Sequence, residues 1–325
     1  MLWLYDRERK EFRRQPPNKT AVEKDYYTVL NKDGEKDFGI EEFLSQIENR
    51  ASPVIAKLEA RENIMPDERF NLACFVSLLM CRTPKFEREI EEIADATHKL
   101  VAKEMIPTVE AAAEHLRRHG GEAKITAESF FKFIHEEKFY VKGNRNLTIE
   151  MMLDQTQKVT MEIALMNWWI AHADERSAFI TTDSPLGFIV PEEFQRTGEP
   201  VLGLASQKVT KLIPLTKRVA LLMGHIGAGL DHFSFSRQQV REFNITVATE
   251  CERYVIGPDE ALVRCMVKRS KVDTINPGTR MKVENVTHPT DSNRSFLVAR
   301  RVSANAPDKP LKIVVKDRPA GTTGN

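Results

Sequence analysis

At 325 residues the chain is long enough for one or two domains with a sizeable core. Hydrophobic content of 41%, charged content of 29% and a formal net charge of +1 fit a globular protein with no overall pull toward nucleic acid or membrane. The four cysteines (Cys74, Cys81, Cys251 and Cys265) form no Cys-x-x-Cys pair, so a zinc knuckle or thioredoxin motif is unsupported, and reduced thiols in a cytoplasmic setting are expected.

Residues 1 to about 30 read as a β-rich opening. Trp3, Tyr5 and Phe12 flank a charged turn, and Pro16-Pro17 closes the unit. MLWLYDRERK does not read as a secretory leader, because charge interrupts it too early. From about 38 to 173 the pattern is helical. Ile40, Phe43, Leu44, Ile47 and Ala51 form one stripe, and Ser52-Pro53 is expected to restart the helix at a new angle. Asp67 is expected to cap the next helix, which runs from Phe70 to Met80. It is apolar over most of its circumference, as a central buried helix would be, and too short to span a bilayer. Thr83-Pro84 ends that helix and caps a long charged one, which Pro107 should break and Gly120-Gly121 should stop. A short aromatic helix follows Thr126, then a loop at Lys142-Gly143-Asn144. Thr148 is expected to open a helix of about 25 residues, with Met152, Val159, Ile163, Met166 and Ile170 on its inward seam.

The period changes to that of strands at Ala178. Strands are expected at 178–182, 187–190, 208–213, 218–223 and 253–257, with a hairpin turn at Thr216-Lys217 and a helix capped by Ser236. No internal repeat is visible. The segment 268–325 holds twelve Lys/Arg against five Asp/Glu, a net of +7, so the first 267 residues carry −6. It shows short strand-like runs, Phe296-Leu297-Val298 and Ile313-Val314-Val315, without a core pattern. It is expected to be a basic, loosely structured tail, either solvated or contacting an anionic partner.

Few residues carry chemistry by their spacing. Arg82 ends a buried helix, where a guanidinium holds either an anion in a cleft or the helix's own carbonyls. Asp183 follows the apolar run Phe179 to Thr182 and precedes Ser184-Pro185. It reads as a general base, a metal ligand or a plain turn acid. Glu48, Glu162 and Asp183 would form a carboxylate cluster able to recruit a divalent metal if the fold packs them together; otherwise they are helix surface and turn. His115 and His119 have metal-ligand spacing but no evident third ligand. Three glycines in the GHIGAGLDH run at 224–232, with His225, Asp231 and His232, fit neither the P-loop nor the dinucleotide fingerprint. Ser184 lacks the Gly-x-Ser-x-Gly setting of a nucleophile elbow.

Taken in order, NKTAVEKDYYTV (18–29), FLSQIENRA (43–51), the apolar helix ending in Cys81-Arg82-Thr83-Pro84, FITTDSP (179–185) and KLIPLTKRVALLM (211–223) resemble the bacterial family called domain of unknown function 4238. The resemblance covers roughly residues 1 to 260 and brings no established reaction. It implies that Glu48, Arg82, Asp183 and Asn244 occupy motif positions, and it implies a bacterial cytoplasmic setting. Family members open with His-Tyr-Val-Pro just before the first strand. This chain begins at the strand itself, so the resemblance implies either a truncated start or loss of that histidine, and an active site using it would be incomplete here.

The expectation is one α+β domain over 1–260, with a helical body on a mostly antiparallel sheet. Two functions compete. One is a hydrolase-like or defence-type effector acting on a phosphate-bearing substrate, with Asp183, Arg82 and Glu48 as catalytic residues and Asn244 and Ser184 binding substrate. The other is a non-catalytic binding, sensor or scaffold protein, in which Arg82 and Asp183 pair structurally.

Overall fold

The computed structural model describes residues 1–20, 29–30, 36–119, 125–142, 145–189, 206, 209–224, 229–274, 279–288 and 291–303. The class is α+β, as helices followed by strands predict.

The chain opens with the hairpin β1 (Leu2–Asp6) and β2 (Glu11–Gln15), then a short pair, β3 (Val29–Leu30) and β4 (Lys36–Asp37). Six helices follow: α1 (Gly39–Glu59), α2 (Pro66–Cys81), α3 (Pro84–Met105), α4 (Val109–His119), α5 (Ala127–His135) and α6 (Arg145–Leu165). The break at Pro107 and the cap at Thr83 are as expected; the Thr83 hydroxyl accepts from the Phe86 N–H at 3.1 Å. Pro53 does not restart α1. It sits inside one continuous helix, whose buried residues Leu44, Ile47, Ala51, Val54 and Leu58 run through it on a single face. Burial of that stripe outweighs the bond a proline removes. Asp67 is not the cap of α2 either. Met65 is, with Pro66 at the first helical position, and the Glu68 carboxylate accepts the Met65 N–H at 2.9 Å. The expected stops at Gly120-Gly121 and at residues 143–144 lie outside the described residues.

The helix expected to reach residue 173 ends at Leu165. Met166 bends, and Asn167–Ala173 forms strand β5. Paired bulky residues decide this. Trp168 and Ile170 point to one face and Ala171 and Ala173 to the other, so both faces are buried, which a strand between two layers allows. β6 (Thr181–Thr182), β7 (Gly187–Ile189), β8 (Thr210–Pro214) and β9 (Val219–Gly224) follow. Next come β10 (Leu230–Phe235), α7 (Arg237–Thr249), β11 (Tyr254–Gly257) and α8 (Glu260–Ser270). β10 begins inside the run read as a glycine-rich loop; residues 225–228 of that run lie outside the described residues.

Two sheets result. One has order β10-β5-β9-β8-β7, with β10 parallel to β5 and the rest antiparallel; the other is the antiparallel β2-β1-β11-β6. The main core lies between α1, α2 and α6 and one face of the five-stranded sheet, around Leu58, Val76, Ile163, Trp168, Ile213 and Leu221. α7 covers the opposite face through Val240, Phe243 and Val247. α8 packs Val263, Met266 and Val267 on Tyr5 and Val255 of the four-stranded sheet. In the basic C-terminal segment, β12 (Thr279–His288) and β13 (Asp291–Ser303) form a long antiparallel hairpin that contains the Phe296–Val298 run and lies against α3. The Ile313–Val315 run lies outside the described residues.

Candidate functional site

The Asp183 side of the molecule is a junction of paired charges. The tight turn after β6 buries most of Asp183, whose carboxylate accepts the backbone N–H groups of Glu252 (3.1 Å) and Arg253 (2.7 Å). Burial pushes its pKa up to about 6, against the lowering effect of those N–H bonds. The same 250–253 turn is clamped from α3: Lys85 binds Glu250 at 2.5 Å and Arg88 binds Glu252 at 2.7 Å. Arg253 in turn reaches the fully buried Asp6 at 3.1 Å and Glu8 at 3.1 Å. Burial alone would raise the Asp6 pKa, but the Arg253 guanidinium and the N–H groups of Arg9 and Glu8 hold it below the usual carboxylate value.

Arg82 is the C-cap of α2, and its guanidinium bonds Glu48 of α1 at 2.5 Å; the Glu48 side chain is 46% exposed. Glu48 and Arg82 therefore come together, while the Asp183 carboxylate bonds the β11 turn instead. Glu162 faces elsewhere, toward the buried Lys211 of β8, so the expected cluster of Glu48, Glu162 and Asp183 does not assemble. Among the described residues, no three His, Cys, Asp or Glu side chains converge to hold a metal ion. His115 and His119 do come together, with ring centroids 5.0 Å apart, and His115 also stacks on Phe130 at 5.7 Å. Ser184 is buried, and its N–H bonds the Thr182 hydroxyl at 3.2 Å. Asn244 of α7 donates to the Ala178 carbonyl at 2.9 Å and accepts from the Ile180 N–H at 3.1 Å. Its amide thus fixes the segment that leads into β6 and Asp183.

Asn244 also lines the feature that sequence reasoning missed. A cavity of about 690 Å³ opens between the 175–178 loop, the β8–β9 turn and the first turns of α7 and α8. Arg176, Lys217, Arg218, Arg237 and Arg241 line it, against Glu175 and Asp259. Arg218 is committed to the carbonyls of Ala173, Asp174 and Ser177. The side chains of Arg176, Lys217, Arg237 and Arg241 make no direct ion pair among the described residues, and the Arg237 charge is near enough to Asp174 to help hold that carboxyl below its usual value. Arg237, Val240, Arg241 and Asn244 follow helical spacing on one face of α7, and the Ser236 cap starts that helix at the cavity edge. The spacing of Arg237 and Arg241 and the Lys217-Arg218 turn were the available signals, but nothing local links the two.

Two other buried groups were also missed. His172 of β5 and His232 of β10 meet at 2.9 Å; burial and nearby Arg61 push the His172 pKa down to about 4. Lys211 is fully buried on the helix-facing side of β8, and burial lowers its pKa to about 8.

Helices followed by mostly antiparallel strands define an α+β protein. The chain belongs to the family described as protein of unknown function (DUF4238), whose model matches residues 1–261. No curated protein and no solved structure matches it. Among the described residues, no helix is long and apolar enough to cross a membrane.

Proposed function

We propose that this chain binds a phosphate-bearing small molecule in the cavity between α7, α8 and the β8–β9 turn. One observation carries the reading: five cationic side chains line a single cavity against two carboxylates, and four of the five have no ion-pair partner among the described residues. Cations of one sign gathered around a concavity raise the local potential and attract an anion; Arg176, Lys217 and Arg237 are exposed, so the attraction is strongest at low ionic strength. Guanidinium groups give phosphate short, charge-assisted bonds. Arg82 and Asp183, by contrast, already have partners inside the fold.

A second reading, a hydrolase-like or defence-type effector with Asp183 as base, is favoured by one fact. The raised pKa of that carboxyl, about 6, lies near the range where a general base works. Under both readings the protein works in the cytoplasm, which suits four free thiols. The basic segment 268–325 would meet an anionic partner.

Equilibrium dialysis against inorganic pyrophosphate tests the first reading. Binding at low ionic strength should weaken with salt and disappear in the Arg237→Glu/Arg241→Glu protein. Absence of binding by the wild type, or equal binding by the double variant, would remove it. Phosphate release from phosphate esters that Asp183→Asn abolishes would favour the second.

A further inference from the structure

Resting on the anion-binding reading, we infer that the ligand of this cavity is a nucleotide carrying more than one phosphate. The cavity's walls differ in chemistry. The cations come from α7, the 175–178 loop and the β8–β9 turn. The α8 wall carries no charge: Ala261, Leu262 and Cys265 present it and Ala178 extends it, while Met266 and Val240 are almost fully buried. A volume of about 690 Å³ lies within the ~300–1,000 Å³ of ordinary small-molecule sites and far exceeds the needs of a lone phosphate.

The two carboxylates narrow the class further. Within a basic cavity, Glu175 and Asp259 oppose a bare polyphosphate and offer nothing to a purely aliphatic tail. They suit a ligand that also brings hydrogen-bond donors. Asp259 caps α8 through Oδ1, which accepts the Leu262 N–H at 2.8 Å, and its other oxygen remains to accept from a ligand. A nucleotide meets all three demands. Its phosphates lie on the Arg and Lys side chains that make no direct ion pair, the face of its base lies on Ala261 and Leu262, and a ribose hydroxyl or base amine donates to Asp259 or Glu175. Four unpaired cations suit a di- or triphosphate better than a monophosphate.

The probes are adenosine and guanosine diphosphate, adenosine monophosphate, adenosine, octyl phosphate and inorganic pyrophosphate, titrated calorimetrically into the full chain. A nucleoside diphosphate should bind at least tenfold more tightly than pyrophosphate or the monophosphate, and adenosine should not bind measurably. Asp259→Asn keeps an N-cap acceptor and gives opposite signs for the two ligand types. Nucleotide affinity should fall about tenfold, the size of one charge-assisted hydrogen bond, while pyrophosphate should bind more tightly because a repelling charge is gone. Leu262→Ala should weaken the nucleotide and leave pyrophosphate unchanged. Equal affinity for pyrophosphate and nucleotide, or tighter binding of octyl phosphate, would overturn the nucleotide and leave an anion site. Failure of every probe would overturn the anion site with it.

Discussion

The molecule holds two clusters built from the same ingredients, arginines and carboxylates, and they are used in opposite ways. At the Asp183 junction each charge whose bonds are given above is matched: Arg253 to Asp6 and Glu8, Arg88 to Glu252, Lys85 to Glu250, and Asp183 to two backbone N–H groups. The junction ties α3, β1 and the turn before β11 together. In the cavity beside α7, four cations converge on open volume with no ion pair among the described residues. The difference teaches where to look for function. Paired buried charge fixes one arrangement of the chain, whereas like charge gathered around a concavity attracts an anion.

Four substitutions test that contrast. The largest effect should come from Asp6→Ala, which removes a fully buried carboxylate and the bonds it accepts from Arg253 and from the N–H groups of Glu8 and Arg9, while Arg253 keeps Glu8. A loss of about 3–5 kcal/mol in chemical denaturation is expected, since hydrogen bonds to a charged group contribute about 1.5–3 kcal/mol each. A loss under ~1 kcal/mol would show that the junction is not structural.

Asp183 should give the next largest effect, visible in its pH dependence. Its folded pKa is raised, so the folded state holds a proton that the unfolded chain releases above its ordinary value of 3.8. The contribution is fully present below that value and is lost as pH rises through about 6, to an extent on the order of 3 kcal/mol. Asp6, with a lowered pKa, acts in the opposite direction: its contribution is present above 3.8 and lost as pH falls. Subtracting the stability profile of Asp183→Asn from that of the wild type should therefore leave a curve that falls between pH 4 and 6. A flat difference curve would contradict the burial argument.

Arg82→Ala should cost no more than ~1 kcal/mol, because Glu48 is nearly half exposed and surface pairs contribute little. The smallest effect should be that of Arg237→Glu. It places a carboxylate in the first turn of α7, where the helix dipole favours it by a few tenths of a kcal/mol, about 0.3–1. A large destabilisation there would mean that the cavity's cations support the fold, and the contrast would collapse.

Much of the fold was legible because its signals are local. The α2 run, the Thr83 and Ser236 caps, the Pro107 break and the β8–β9 hairpin each lie within a dozen residues. β5 was missed because Ile170 extends the spacing of the α6 seam by coincidence. Only the layer on the far side of Ala171 and Ala173 shows that both faces are buried. β10 was hidden by the glycines before it and by a partner, β5, some 60 residues away, as is the contact of His172 with His232. Asn244 could be named from the motif position that the resemblance implies, but its two hydrogen bonds to the 178–180 backbone depend on how α7 lies over that segment. The cavity's cations come from separate segments of the chain, and no spacing rule joins Arg176 to Lys217 or Arg237.

The central claim is that the unpaired cations bind an anion and the paired ones do not. Calorimetric titration of pyrophosphate into wild type, Arg82→Ala and Arg237→Glu/Arg241→Glu tests it most directly. The account predicts salt-sensitive binding that survives in Arg82→Ala and vanishes in the double variant. Binding lost with Arg82 and retained by the double variant would contradict it.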